Sequence, residues 1–120
     1  MTRILVVDDS PTAIHIITGM LKKNGYEFIT AVDGQEGVDM AGAEKPGLIL
    51  MDVVMPNVDG FKATRTLARD DVTKDIPIII LSNKSQPTDK LWGKKQGAKD
   101  YLVKPINEAE LINAIKANVG

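Results

Sequence analysis

Four charged residues in this chain come directly after apolar runs. Asp8 and Asp9 follow the run ILVV, Asp52 follows LILM, and Lys104 follows YLV. A charged residue after such a run is typical of a buried strand that ends at one edge of a sheet. Three strand ends in one sheet would bring these four side chains together. The sequence therefore predicts a pocket that holds a hard cation and an anion.

The residue types in this pocket suit phosphoryl transfer to a carboxylate. Carboxylates about 5 Å apart repel by roughly 3 kcal/mol per pair at an effective dielectric near 20, so three of them need a cation. Oxygen ligands alone select Mg²⁺, Mn²⁺ or Ca²⁺ over zinc. A carboxylate with a free oxygen beside such an ion can attack phosphorus and become an aspartyl phosphate. Lys104 would neutralise the transferred group, and the hydroxyl of Ser82 would hydrogen-bond it.

Five strand-like runs alternate with helix-like stretches and would position these residues. The predicted strands are Arg3–Val7, Glu27–Val32, Leu48–Met51, Ile76–Leu81 and Lys99–Val103. Four of them are nearly continuously apolar, which indicates burial on both faces, as in a parallel sheet covered by helices. The alternation predicts an α/β fold, a doubly wound (βα)5 sheet with right-handed crossovers. In such sheets ligands bind beyond the carboxyl ends of the strands.

Helix start and stop signals lie between the predicted strands. Ser10 is the predicted N-cap before Pro11, and Gly25 follows as the stop of that helix. The second helix, about Gln35–Glu44, is weaker because two glycines lower its propensity. The remaining predicted caps are Asp59 for the third helix, Thr88 for the fourth, and Asn107 with Glu110 for the fifth.

Composition predicts one soluble domain over residues 1–120. Of these residues 43% are hydrophobic and 26% charged, and the formal net charge of −1 argues against nucleic acid as a partner. The absence of cysteine excludes disulfides and thiol chemistry. We expect no signal peptide, because an aspartate pair interrupts the N-terminal run, and no membrane insertion, because every apolar run is too short. We therefore expect a cytoplasmic protein.

Four motifs resemble the landmarks of the response-regulator receiver domain. They are ILVVDDSP, LILMDVVMPNVDG, IIILSNKS and GAKDYLVKP, and the resemblance covers the whole chain. It implies a flavodoxin-like sheet with strand order 2-1-3-4-5. It also implies a regulator that accepts a phosphoryl group from a histidine kinase and supports its own Mg²⁺-dependent phosphoryl transfer, rather than an enzyme with a separate substrate.

The resemblance assigns the acidic residues to a metal and phosphoacceptor site. Asp52 corresponds to the phosphoacceptor, and Asp9 to a direct ligand of Mg²⁺, for which Mn²⁺ is expected to substitute. Asp8 corresponds to the acid that orients a metal-bound water, and the backbone carbonyl of Val54 to a further ligand.

The resemblance also assigns a switch and a cis peptide bond. Lys104 and Ser82 would contact the phosphoryl group, and Ser82 and Tyr101 would move together on activation. The Lys104-Pro105 peptide is expected to be cis. The surface expected to change comprises the last helix, the fifth strand and the fourth helix around Leu91.

The expected partners are a histidine kinase and a downstream protein target, with the chain itself a monomer. No output domain is expected, which is typical of stand-alone receivers in chemotaxis-like pathways. The segment QPTDKLWGKKQGAKDYLVKP resembles the regulators of twitching motility that act on type IV pili.

Two other functions remain open at this point. One is an aspartate-nucleophile phosphatase, which would need a second acid at the place of Val54. The other is a receiver-shaped binding module that is never phosphorylated, an option raised by Asn83, which follows Ser82 where the family generally has a small residue. A flavin or dinucleotide protein would need a phosphate-binding loop after the first strand, where Asp8 and Asp9 would repel phosphate.

Overall fold

The computed structural model describes residues 3–55 and 59–119. Within them, strands and helices alternate in the predicted order. The strands are β1 Arg3–Val7, β2 Glu27–Ala31, β3 Leu48–Asp52, β4 Ile78–Ser82 and β5 Asp100–Val103. The helices are α1 Pro11–Lys23, α2 Gly34–Glu44, α3 Gly60–Arg69, α4 Pro87–Gln96 and α5 Glu108–Val119. The α/β alternation is confirmed; β1 has the predicted bounds, and the other four strands differ from the predicted ones by one or two residues at an end.

All strand pairs are parallel, and the sheet order is β2-β1-β3-β4-β5. This confirms the predicted doubly wound, flavodoxin-like topology. The register places Asp52 beside Leu81 and Ser82 beside Val103. The carboxyl ends of the central strands therefore lie level with one another at one edge of the sheet, where the charged residues were expected.

Alternate strand residues face two separate core clusters, which explains why the central strands are apolar throughout. In β1, Ile4 and Val6 belong to one cluster, and Leu5 and Val7 to the other. The first cluster includes buried residues of α1 and α5, and the second includes buried residues of α2 and α3. Every residue of β3 and β4 is buried, as expected for strands covered by helices on both faces.

Three of the predicted helix caps form hydrogen bonds of the expected kind. The side chain of Ser10 accepts from the backbone N–H of Ala13 at 3.2 Å, with Pro11 in the first helical turn. Asp59 accepts from the N–H of Lys62 at 2.9 Å. The amide oxygen of Asn107 accepts from the N–H of Glu110 at 3.0 Å. Each satisfies a backbone donor that the first turn of a helix leaves free.

The prediction that Thr88 caps α4 is wrong. The helix begins one residue earlier, at Pro87, and the N-cap is Gln86. The carboxylate of Asp89 accepts from the backbone N–H of Gln86 at 3.2 Å. Proline favours the first helical position because its φ angle is already helical and it has no N–H to satisfy, and this places Thr88 inside the first turn.

Among the helices that the structure describes, not one combines the length and the hydropathy that a bilayer crossing requires.

Candidate functional site

Backbone hydrogen bonds hold the charged residues at the carboxyl edge of the sheet. The N–H of Asp8 donates to the carbonyl of Ala31 at 3.1 Å, which continues the pairing of β1 with β2. The N–H of Lys104 donates to the carbonyl of Ser82 at 2.8 Å, which continues the pairing of β5 with β4. Asp52 is itself the last residue of β3. The sheet therefore fixes the starting point of each side chain.

Three carboxylates lie together at this edge. One oxygen each from Asp8, Asp9 and Asp52 can be chosen so that all three lie within 4.8 Å of one another. Asp8 and Asp52 are buried, whereas Asp9 is exposed. The Oδ1 atom of Asp8 also accepts from the backbone N–H of Ser10 at 2.9 Å, which orients this carboxylate. The predicted acidic cluster is therefore present.

Lys104 bridges the two buried carboxylates. Its Nζ atom lies 3.1 Å from Oδ2 of Asp8 and 3.2 Å from Oδ1 of Asp52. Within residues 3–55 and 59–119, no second lysine or arginine forms an ion pair with the three acids. Three carboxylates against one ammonium leave an excess of negative charge when all are ionised. This excess and the oxygen-only donor set fit a hard divalent cation.

The charges and the burial of the cluster shift the pKa values of Asp52 and Lys104. Burial, followed by repulsion from Asp8, raises the pKa of Asp52, and the attraction of Lys104 does not fully offset these effects. Burial lowers the pKa of Lys104, but its hydrogen bond to Asp8 and its attraction to Asp52 outweigh this, so the pKa lies above the ordinary value. Lys104 is therefore held as a cation, whereas the ionised form of Asp52 is disfavoured in the absence of a further cation.

The two predicted switch residues, Ser82 and Tyr101, both bind the backbone of Lys84. The buried hydroxyl of Ser82 accepts from the N–H of Lys84 at 3.0 Å. The hydroxyl of Tyr101 donates to the carbonyl of Lys84 at 2.8 Å. The Tyr101 side chain is turned inward, since the residue is only 6% exposed, and burial raises the pKa of its phenol. The loop between β4 and α4 thus connects the two side chains.

Two further predicted site residues have distinct surroundings. The side chain of Val54 is exposed beside the acidic cluster, and the metal-binding role of its carbonyl remains a prediction. The Lys104-Pro105 peptide bond is cis in the structure.

Gly60 is a positioning residue that the sequence interpretation missed. A Cβ atom there would lie 2.7 Å from the Cα of Val53 and closer still to the carbonyl oxygen of Asp52. The N–H of Gly60 donates to the carbonyl of Val53 at 2.9 Å. The start of α3 therefore lies directly against the backbone of the proposed acceptor. The sequence signal was Asp59-Gly60, which we interpreted only as a turn and helix cap.

A parallel sheet of this order, with an acidic cluster and a bridging lysine at its carboxyl edge, defines a receiver domain. The family described as "Response regulator receiver domain" matches residues 4–116, and the chain belongs to it.

Two individual proteins resemble this chain over nearly their full length. The chain is 52% identical to the protein PilH of Pseudomonas aeruginosa, over 98% of this chain and 97% of that protein. A structure of the chemotaxis protein CheY4 of Vibrio cholerae superposes with a TM-score of 0.91 at 33% identity, covering 98% of each chain.

A second solved structure bears on the metal. The receiver domain of a sensor histidine kinase from Pseudomonas aeruginosa superposes with a TM-score of 0.92 at 33% identity, covering 99% of this chain and 98% of that one. That structure is described as having a magnesium ion coordinated in its active-site cleft.

Proposed function

We propose that this chain is a phosphorylatable, single-domain response regulator of a chemotaxis-like two-component pathway. Asp52 accepts the phosphoryl group of a histidine kinase, and the phosphorylated form changes its binding to a protein target. The observation that carries this proposal is the bridge from Lys104 to Asp8 and Asp52, because it places a cation beside a buried carboxylate within an acidic cluster.

The acidic cluster is the proposed site of Mg²⁺, with Mn²⁺ as a substitute. Asp9, Asp52 and the backbone carbonyl of Val54 would hold the ion directly, and Asp8 through a water. When bound, the ion would offset the negative charge of the incoming phosphoryl oxygens. Asp8 and Asp9 would supply negative charge that retains the ion, next to the buried carboxylate of Asp52.

Phosphoryl transfer then needs only positioning and charge stabilisation. A carboxylate oxygen of Asp52 forms the new bond to phosphorus as the bond from phosphorus to the imidazole nitrogen of the kinase histidine breaks. The departing electron pair stays on that nitrogen. Lys104 already lies 3.2 Å from Asp52, so its ammonium group needs little movement to contact a phosphoryl oxygen. No second acid follows at Val54, which disfavours hydrolysis of an external phosphate ester.

The signal passes from Asp52 to the surface through Ser82 and Tyr101. A hydrogen bond from the Ser82 hydroxyl to the phosphoryl group would pull on the loop that both side chains bind. Phosphorylation would thereby favour one of two arrangements of this loop and of α4, a population shift. The output surface is α4, β5 and α5, on which Leu91 is exposed.

The expected pathway is control of twitching motility. Its support is the 52% identity to PilH over nearly the full length of both chains, together with the resemblance of the segment from Gln86 to Pro105 to regulators of that process. We further propose that the protein is cytoplasmic, acts as a monomer, does not bind nucleic acid and does not insert into a membrane.

Intact mass spectrometry tests the chemistry. The protein is incubated with acetyl phosphate or phosphoramidate, with Mg²⁺, with Mn²⁺ or with EDTA. We expect a metal-dependent gain of one phosphoryl group in the parent and in Asp39→Ala, a control at an exposed acid on α2. We expect no gain in Asp52→Ala.

A gain that persists in Asp52→Ala would show that another residue is the acceptor. No gain in any variant would favour a receiver-shaped binding module that is never phosphorylated. Asn83→Ala would then show whether the exposed side chain beside Ser82 is what blocks access.

A further inference from the structure

Helix α4 is anchored to the sheet in an unusual way. Within Pro87–Gln96, all of which the structure describes, Gly93 is the only buried residue. The apolar side chains next to it, Leu91 and Trp92, are 59% and 51% exposed. The other helices bury apolar or larger side chains, such as Leu21 of α1. The fully buried contact of α4 therefore lies at the backbone of Gly93.

Gly93 lies against the ring of Tyr101. A Cβ atom built at Gly93 would lie 3.0 Å from Cδ2 and 3.2 Å from Cε2 of the ring, and 2.9 Å from Cδ1 of Ile80. These separations are shorter than ordinary van der Waals contacts between carbon atoms. The end of the Ile80 side chain can move aside by rotation, but the ring is fixed at both ends. Its base belongs to β5, and its hydroxyl binds the carbonyl of Lys84.

The need for glycine at this position is one of space. Two other glycines inside helices, Gly19 of α1 and Gly42 of α2, have no described atom from outside their own helix within 4 Å of a built Cβ. Gly93 is therefore distinguished from them by the ring of Tyr101 and by Ile80, which is the register partner of Tyr101 on β4.

We infer that Gly93 is a positioning residue for Tyr101: the absent side chain forms the space that admits the inward ring, and thereby fixes α4 over β5. A methyl group at this position requires the ring or the helix to give way, and we expect the ring to turn outward. An outward turn of the ring breaks the hydrogen bond from Tyr101 to Lys84. The effect of Gly93 on the ring does not depend on phosphorylation, whereas the effect of Gly93 on output rests on the function proposed above.

The ionisation of Tyr101 tests this inference. The chain has only two tyrosines, Tyr26 and Tyr101, so in a Tyr26→Phe background the ultraviolet difference spectrum follows Tyr101 alone. Gly93→Ala in this background should lower the ionisation midpoint towards that of free tyrosine, because an outward ring is no longer desolvated. Gly42→Ala, which adds the same methyl group to another helix, should leave the midpoint unchanged. An unchanged midpoint in Gly93→Ala would overturn the inference.

A double-mutant cycle separates the contact with the ring from general damage to the helix. In the parent, Gly93→Ala should lower the urea midpoint of unfolding despite the better helix propensity of alanine. In a Tyr101→Ala background the same substitution should be neutral or stabilising, because the ring is gone and only the flexible end of Ile80 must move. An equal loss in both backgrounds would show that Tyr101 is not what Gly93 accommodates.

Both experiments use the unphosphorylated protein. Their outcome therefore stands apart from the mass measurement, and either proposal can fail without the other. For the link to output, we expect acetyl phosphate with Mg²⁺ to change the fluorescence of Trp92, the single tryptophan, in the parent and in Gly42→Ala. The change should be smaller in Gly93→Ala at equal phosphorylation by mass. An equal change would show that Gly93 does not couple the site to α4.

Discussion

At the scale of single residues, the site combines three charged side chains with one apolar side chain near Asp52. Asp8, Asp52 and Lys104 form a hydrogen-bonded group of two buried carboxylates and one partly buried ammonium. Val54, two residues past Asp52, is exposed. In the function proposed above, the first three residues would receive the phosphoryl group, and Val54 would affect its lifetime.

The phosphoryl group on Asp52 should be long-lived. Val54 is 64% exposed and lies two residues past the acceptor, where its apolar side chain cannot orient an attacking water as a polar side chain could. After removal of the phosphodonor, loss of the phosphoryl group followed by intact mass should be slow or undetectable without a phosphatase. Val54→Asn should accelerate the loss. Decay of the parent within seconds would contradict this account.

At the scale of elements, the contact between α3 and the end of β3 constrains the site as firmly as any side chain. Gly60 begins α3 and touches the backbone of Asp52 and Val53. A side chain there would have to move main-chain atoms, which cannot rotate away as a flexible side chain can. Asp52, the proposed acceptor, is thus held from both sides, by the sheet before it and by α3 after it.

Gly60→Ala should therefore both destabilise the protein and slow phosphorylation. Overpacking of this kind costs on the order of 1–3 kcal/mol, and a displaced Asp52 no longer faces Lys104 correctly. Urea unfolding and the rate of the mass gain with acetyl phosphate measure the two effects. Gly42→Ala serves as the control, since its added methyl group meets open space. A Gly60→Ala variant as stable and as rapidly phosphorylated as the parent would refute the constraint.

Sequence patterns predicted the elements well because burial on two faces leaves a clear trace. The run IIIL of β4 is apolar at every position, and the fully buried strand explains it. The contacts made by glycines could not be predicted from the sequence pattern. Gly60 and Gly93 have no side chain from which a contact could be inferred, and their importance comes from neighbours distant in sequence. The start of α4 was misplaced because Pro87 outweighed the hydroxyl of Thr88.

At the scale of the whole molecule, ionisation of Asp52 opposes folding. The pKa of Asp52 is raised in the folded protein, so the folded state favours the protonated carboxyl more than the unfolded state does. The stability that this residue contributes is present below the pKa of the unfolded chain. It is lost as the pH rises through the raised pKa of the folded state.

This linkage predicts that Mg²⁺ counteracts the loss of stability that a rise in pH causes. In EDTA, the stability of the parent relative to Asp52→Asn, measured by urea unfolding, should fall as the pH rises from the ordinary aspartate range through the raised pKa. Mg²⁺ should remove most of that fall, because a cation that binds only the ionised folded state stabilises it. A stability difference that does not vary with pH in EDTA would show that Asp52 carries no such penalty.

The loop after β4 has a property of consequence for evolution. Ser82 and Tyr101 both bind residue 84 through its peptide N–H and carbonyl, so its lysine side chain takes no part in either bond. Any amino acid except proline supplies the same two groups. Natural variation at this position can therefore alter the charge of an exposed side chain while the connection between Ser82 and Tyr101 is inherited intact.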